Sequence, residues 1–376
     1  MKLRYATLLI ATAGLFGALS ACSSGGGGAG PGLCTPLASS IDTATSLPAG
    51  CYTTSGDVSV NAPLTLAPGV TIAFAQDSVM DVNAGGSLHA VGSSATGDGI
   101  VFEGATDTAG FWGGINVYAK SPQNDLEYVE VRDAGSATIG HGTAVWVASG
   151  IPFTMKHAIL DLSYTNGLST DASASVADIH LQANTYRDIG AYPVSVYADA
   201  AGALDPASVY SNTGKGVVEV FGGNVATSQT WHHLAVPYEV DGQTFVDAAL
   251  TIDPGTTIQV DPGYVITVGQ GSSGTLTADG GSASTQITFT TVPGGSSWGG
   301  ITMDSASNLL NYVVVDGADG SGSGEVWASL PGVTISNSTF ENSPDEAICW
   351  NPSAQPTTSN LTFNNIGSTS TTDCLP

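Results

Sequence analysis

From Val58 onward, apolar and polar residues alternate in runs of three to five, each closed by Gly, Pro, Asn, Asp or Ser. Val58-Ser-Val60, Leu64-Thr-Leu66, Thr71-Ile-Ala-Phe74, Val79-Met-Asp-Val82 and Ile100-Val-Phe102 are examples. Period-two runs of this length, rich in β-branched residues and bounded by turn formers, predict short strands. No segment of useful length carries the 3.6-residue apolar stripe of a helix. Short strands alone leave a sandwich, a barrel and a solenoid open. The spacing favours the solenoid, because similar strands recur at the length of one three-sided coil, as from Leu66 to Leu88 and from Val82 to Phe102. Turns are built from single glycines and from Pro68-Gly69 and Pro254-Gly255, with no hairpin Asn-Gly between matched strands. In such a stack each coil buries its apolar side chains on the coils above and below, so stability is a sum of neighbour contributions.

The pattern is written twice. Tyr52–Gly85 lies over Tyr238–Gly271 without a gap, and 13 of the 34 positions are identical. Gly86-Ser-Leu-His-Ala then answers Gly274-Thr-Leu-Thr-Ala, and Ile100-Val-Phe answers Ile287-Thr-Phe. Trp112-Gly-Gly-Ile answers Trp298-Gly-Gly-Ile, and Leu126-Glu-Tyr-Val answers Leu310-Asn-Tyr-Val. Internal repetition of this kind is the signature of a stacked architecture. It divides the chain into a first unit of about 52–236 and a second of about 238–376 within one domain, 34–376. Residues 191–236 have no counterpart and are read as extra coils joining the two units, with a break between two short helices as the alternative. Trp146 and Trp327 also recur, so all four repeated tryptophans are expected to pack inside.

This ordered set of motifs resembles the right-handed parallel β-helix lipoproteins of bacteria, within the broad pectate-lyase-like superfold. The resemblance implies an all-β chain, a right-handed parallel β-helix (β-solenoid) built from two tandem related units. It implies no single activity, because the superfold hosts lyases, hydrolases, adhesins and inert scaffolds.

The amino terminus adds an address. Lys2 and Arg4 precede an apolar run, Ala6–Leu19, which is short for a membrane span and right for a secretory leader. Leu19-Ser20-Ala21-Cys22 resembles a bacterial lipobox, which implies cleavage after residue 21 and acylation of Cys22 (diacylglycerol and a further acyl chain such as palmitate). Several chains on one cysteine anchor stably, at about 0.8 kcal/mol per buried methylene. Residues 22–33, mostly Gly and Ser, then form a flexible tether. The expected location is the cell envelope, on the outer membrane, with membrane lipid as the first partner.

Charge narrows the remaining partners. Past residue 21 the chain keeps 5 basic against 32 acidic side chains, a formal charge of −27. Such a surface repels nucleic acid, whose phosphates require Lys and Arg. A polysaccharide or a surface protein remains, with calcium as the one cofactor the acidity suggests. The Asp-Pro-Gly turns at Asp253 and Asp261 are its candidate ligands, although carboxylates also cap turns without metal.

Cys34, Cys51, Cys349 and Cys374 make an even set in an exported chain. Two lie before the first repeat and two at the end of the second. The ends of an elongated stack never meet, so Cys34–Cys51 and Cys349–Cys374 are the expected bridges, each contributing about 3 kcal/mol on the entropic account.

Chemistry is thinly signalled. Gly140-His141-Gly142 matches one triplet of the polygalacturonases, but the Asn-Thr-Asp, Asp-Asp and Arg-Ile-Lys stretches that accompany it there are missing. Inverting hydrolysis needs two carboxylates flanking the bond. Pectate lyase chemistry needs clustered Asp and an arginine base, and only Arg132 and Arg187 follow residue 21. No zinc spacing and no serine elbow occur, so no catalytic or metal residues are assigned. Arg132, His141, Tyr186, Arg187 and Trp231 stand as candidate binding residues. The preferred reading is a lipid-anchored structural or binding module, adhesin-like or glycan-binding. The alternative is a polysaccharide lyase or glycoside hydrolase.

Overall fold

The computed structural model describes residues 34–93, 98–319, 324–368 and 371–374. The expected leader, Cys22 and the expected tether lie outside them. From Thr35 onward the chain forms one compact unit, a right-handed parallel β-helix whose strands pair in parallel from rung to rung.

One sheet of 14 strands runs through both repeats, from Ser40–Ile41 to Thr362–Asn364. The first repeat completes its coils with an 8-stranded and a 6-stranded sheet, and the second with a 7-stranded and a 6-stranded sheet. Fourteen rungs at about 4.8 Å each give a stack roughly 60 Å long. Residues 191–236 continue it. They supply Val194–Val196 and Val218–Val220 to the long sheet, together with a 3-10 turn at Ala198–Ala203.

The alternation in sequence is the cause of this architecture. Where a short strand reads apolar–polar–apolar, the apolar residues point inward and the middle residue points out. Val58, Val60, Met80, Val82, Ile115, Val145 and Val147 are all closed to solvent on the long sheet, while Ser59 and Asp81 between them are not. The interior is a continuous column of Val, Ile, Leu, Met and Phe, which is what neighbour-to-neighbour stacking requires.

The shared motifs have shared jobs. Trp112 and Trp298 are fully buried, and each indole N–H donates to the backbone carbonyl that ends a strand of the next coil. The acceptors are Arg132 O at 2.8 Å and Asp316 O at 3.0 Å. The glycine pair after each tryptophan is required by closeness. A Cβ on Gly114 would stand 2.3 Å from Thr143 O, and one on Gly300 would stand 2.5 Å from Glu325 O, with both glycines at positive φ. Asn124 and Asn308, both buried, accept from Leu88 N and Leu276 N on the preceding coil. Tyr128 and Tyr312 each make a one-residue turn at φ near 50°.

The two copies are nonetheless not stacked face over face. Val70–Phe74 lies in the 8-stranded sheet, but its counterpart Thr257–Val260 lies in the long sheet. Val79–Val82 lies in the long sheet, but its counterpart Ile266–Val268 lies in the 7-stranded one. The second copy is therefore turned by one side of the coil relative to the first.

Cys349 and Cys374 are bonded across adjacent coils, with 5.4 Å between their Cα atoms. Cys34 and Cys51, in adjacent rungs just before the paired Thr35 and Tyr52, are also disulfide-bonded. Each end of the stack thus carries covalent closure.

Candidate binding surface

The outward middle residues of the long sheet form a single file along the rod. Register places Ser59, Asp81, Asn116, Trp146, Ser169, Ser195, Glu219, Glu239 and Gln259 on successive rungs. All can hydrogen bond, Trp146 through its indole N–H, and Trp146 is the only aromatic among the nine. Two clusters stand out along it.

The first surrounds Trp146. The His141 ring lies flat against the indole, 3.6 Å between centroids and 4° between planes. Tyr118, 37% exposed, leans on both rings, and its hydroxyl is 2.9 Å from His141 Nε2. Burial lowers the affinity of His141 for a proton. Burial and then the Asp81 charge push the Tyr118 hydroxyl above its ordinary range. Beneath the rings, Asn116 is 2% exposed and donates its amide N–H to Asp81 at 2.8 Å. Its carbonyl oxygen, Oδ1, is buried and has no donor.

The second cluster sits where the repeats meet. Ser195 donates to Glu219, Tyr192 donates to Glu239 at 2.5 Å, and Lys215 lies 3.8 Å from Glu239. Lys215 also sits 5.1 Å over the Tyr192 ring. Glu219 and Asp241 are neighbouring carboxyls. Burial, followed by that neighbour's charge, pushes Asp241 up to about 7. Asp261 is also raised, by burial and then by Glu239.

The candidates named from sequence fall in different places. Arg132 and Arg187 lie on the outer face of the 8-stranded sheet. With Glu103 and Asp161 they make a ladder of alternating charge, Glu103–Arg132–Asp161–Arg187. Arg187 also reaches Glu130 at 3.2 Å. Carboxylates and bases do converge here, but each arginine is already held by its neighbours, as in a structural ion network. Tyr186 and Trp231 are 1% exposed and stack inside on Tyr210 and Tyr238. Neither ring offers a face to a ligand, which corrects their place among the binding candidates. His141 alone of the five stands at an exposed cluster.

The expectation for the repeated tryptophans divides. Trp112 and Trp298 are core, whereas Trp146 and Trp327 point outward and are partly exposed. Alternation explains this, because Val145 and Val147, like Val326 and Ala328, take the inward positions. Sequence reasoning also missed Tyr118 and Asn116, whose signal was the same parity in Ile115-Asn-Val117. Among the described residues, Glu346, Cys349 and Cys374 bring possible metal-binding atoms together, but both cysteines are spent in their disulfide. Asp253, a suggested calcium ligand, lies 2.9 Å from His232 Nδ1.

Neither a protein-family model nor a curated protein matches the sequence. Among solved structures, the chain is similar to the Streptococcus pneumoniae surface protein and adhesin PfbA. The identity is 11%, over 87% of this chain and 90% of that one, with a TM-score of 0.20.

Proposed function

We propose that the protein is an exported, lipid-anchored rod that offers the outer face of its long sheet to a glycan. The observation that carries the binding role is the exposed Tyr118–His141–Trp146 cluster, set in a file of hydrogen-bonding side chains. Aromatic rings beside ordered polar groups suit a sugar, which has an apolar face and a rim of hydroxyls. Disulfides support export, since they persist in oxidising compartments. Anchoring rests on Cys22 and the tether that follows it. Metabolic labelling with a palmitate analogue tests that part, with label expected on the natural chain and none on Cys22→Ser. A glycan array with Trp146→Ala as control tests the binding part. Equal signals from the two proteins would remove the site.

One observation favours a second reading, as a lyase or hydrolase. Glu219 and Asp241 are neighbouring carboxyls, and burial followed by the Glu219 charge raises Asp241 to about 7, where an acid–base group works best. A reducing-end and unsaturated-product assay on any glycan that binds decides it. Turnover that Asp241→Asn abolishes is the result this reading requires.

A further inference from the structure

The charged members of the outward file, Asp81, Glu219 and Glu239, are all carboxylates. Asn116 Oδ1 and Gln259 Oε1 are buried oxygens with no donor. Both are acceptors (one at the aromatic cluster, one just past the junction). The charges facing the aromatic cluster are also acidic. Asp81 acts on Tyr118 and His141, and Asp171 acts on His141. The cation nearest the file, Lys215, is engaged by Glu239 and the Tyr192 ring.

We infer that the ligand of this surface is a donor-rich saccharide bearing free amines, seated on Tyr118, His141 and Trp146 beside Asp81 and Asn116. This deepens the glycan-binding reading and rests on it. Asp81, held by the Asn116 amide N–H at 2.8 Å, offers a fixed carboxylate to a ligand that brings N–H groups. A uronate or sulfated sugar would bring more acceptors and negative charge to carboxylates, which costs rather than gains. An ammonium group is drawn to aromatic faces and to the adjoining carboxylates together. Ser169 and Ser195 keep the floor low between Trp146 and Glu219, so a chain lying along the axis meets the rings first and the carboxylates three rungs later.

Titration calorimetry of the whole exported chain tests this with four probes of matched length. They are a glucosamine oligomer, a neutral hexose oligomer, a uronate oligomer and a lysine peptide. The glucosamine oligomer is expected to bind at least tenfold more tightly than the neutral one, and the uronate not measurably. Trp146→Ala should weaken amino-sugar binding tenfold or more. Asp81→Asn should narrow the gap between amino and neutral sugars, because it removes the charge that favours the ammonium group. Uronate binding as strong as glucosamine binding overturns the inference but leaves a glycan site in place, provided Trp146→Ala removes it. Lysine peptide binding equal to glucosamine binding, and indifferent to Trp146→Ala, also overturns it, because charge alone would then account for the attraction. If no saccharide binds, both readings fall.

Discussion

The surroundings of Trp146 and Trp327 show what duplication kept and what it released. Inside, the copies agree. Trp112 and Trp298 close the same backbone bond, and Asn124 and Asn308 satisfy the same amide. Outside, they part. Asp81, Asn116, Trp146 and Ser169 in the first copy become Thr267, Thr302, Trp327 and Cys349 in the second. Tyr118 becomes Asp304, and one neighbour of the tryptophan is now tied into a disulfide. Constraint on the interior comes from close packing, where a change of one methylene is felt. The exterior had no such constraint, so a feature found there in one copy alone points to a task rather than to folding.

The largest effect expected tests the shared interior. Trp112→Ala and Trp298→Ala should each cost about 3–5 kcal/mol in urea unfolding, by the usual loss for a buried aromatic. A loss confined to one copy would break the equivalence. Cys374→Ser should cost about 3 kcal/mol and loosen the second copy first, seen as faster hydrogen exchange in the last coils.

The next prediction exploits an exception to the shared interior. Glu325, in the place of Ala144 in the first copy, is fully buried, and neither carboxyl oxygen has a hydrogen-bond partner. Burial first, then Asp316 and Glu341, push it up to about 9. The folded chain holds this proton after the unfolded chain has lost its own, so stability falls as pH rises from about 4.5 to about 9. Glu325→Gln should therefore stabilise by a few kcal/mol at pH 8 and hardly at pH 4, as read from thermal midpoints. An equal gain at both values would show that ionisation is not involved. Least is expected of Arg187→Ala, about 1 kcal/mol or less, because its ladder is half open to water and salt-screened. A threefold larger loss would make that ladder a true structural element.

Sequence made the architecture legible because the physics that builds a coil is local. Alternation, turn residues and the repeat of Trp-Gly-Gly-Ile all act within a few positions. The binding surface was less legible because recurrence and direction are separate properties. Recurrence suggested that Trp146 packs, while the parity of Val145-Trp-Val147 turns it outward. Tyr186 stood among the candidate binding residues, while its register with Leu160 turns it inward. The junction carboxylates were hidden for another reason. Glu219, Glu239 and Asp261 are far apart in sequence and meet only when their rungs stack.

The one-side turn between the copies carries a consequence of its own. A thread cut with a fraction of a revolution left over never brings its second mark beneath the first. Trp146 and Trp327 accordingly look out along different bearings, and no straight polymer laid against the rod can touch both. Any mutation carried by the ancestral stack now aims at two separate horizons, which left each free to acquire its own correspondent.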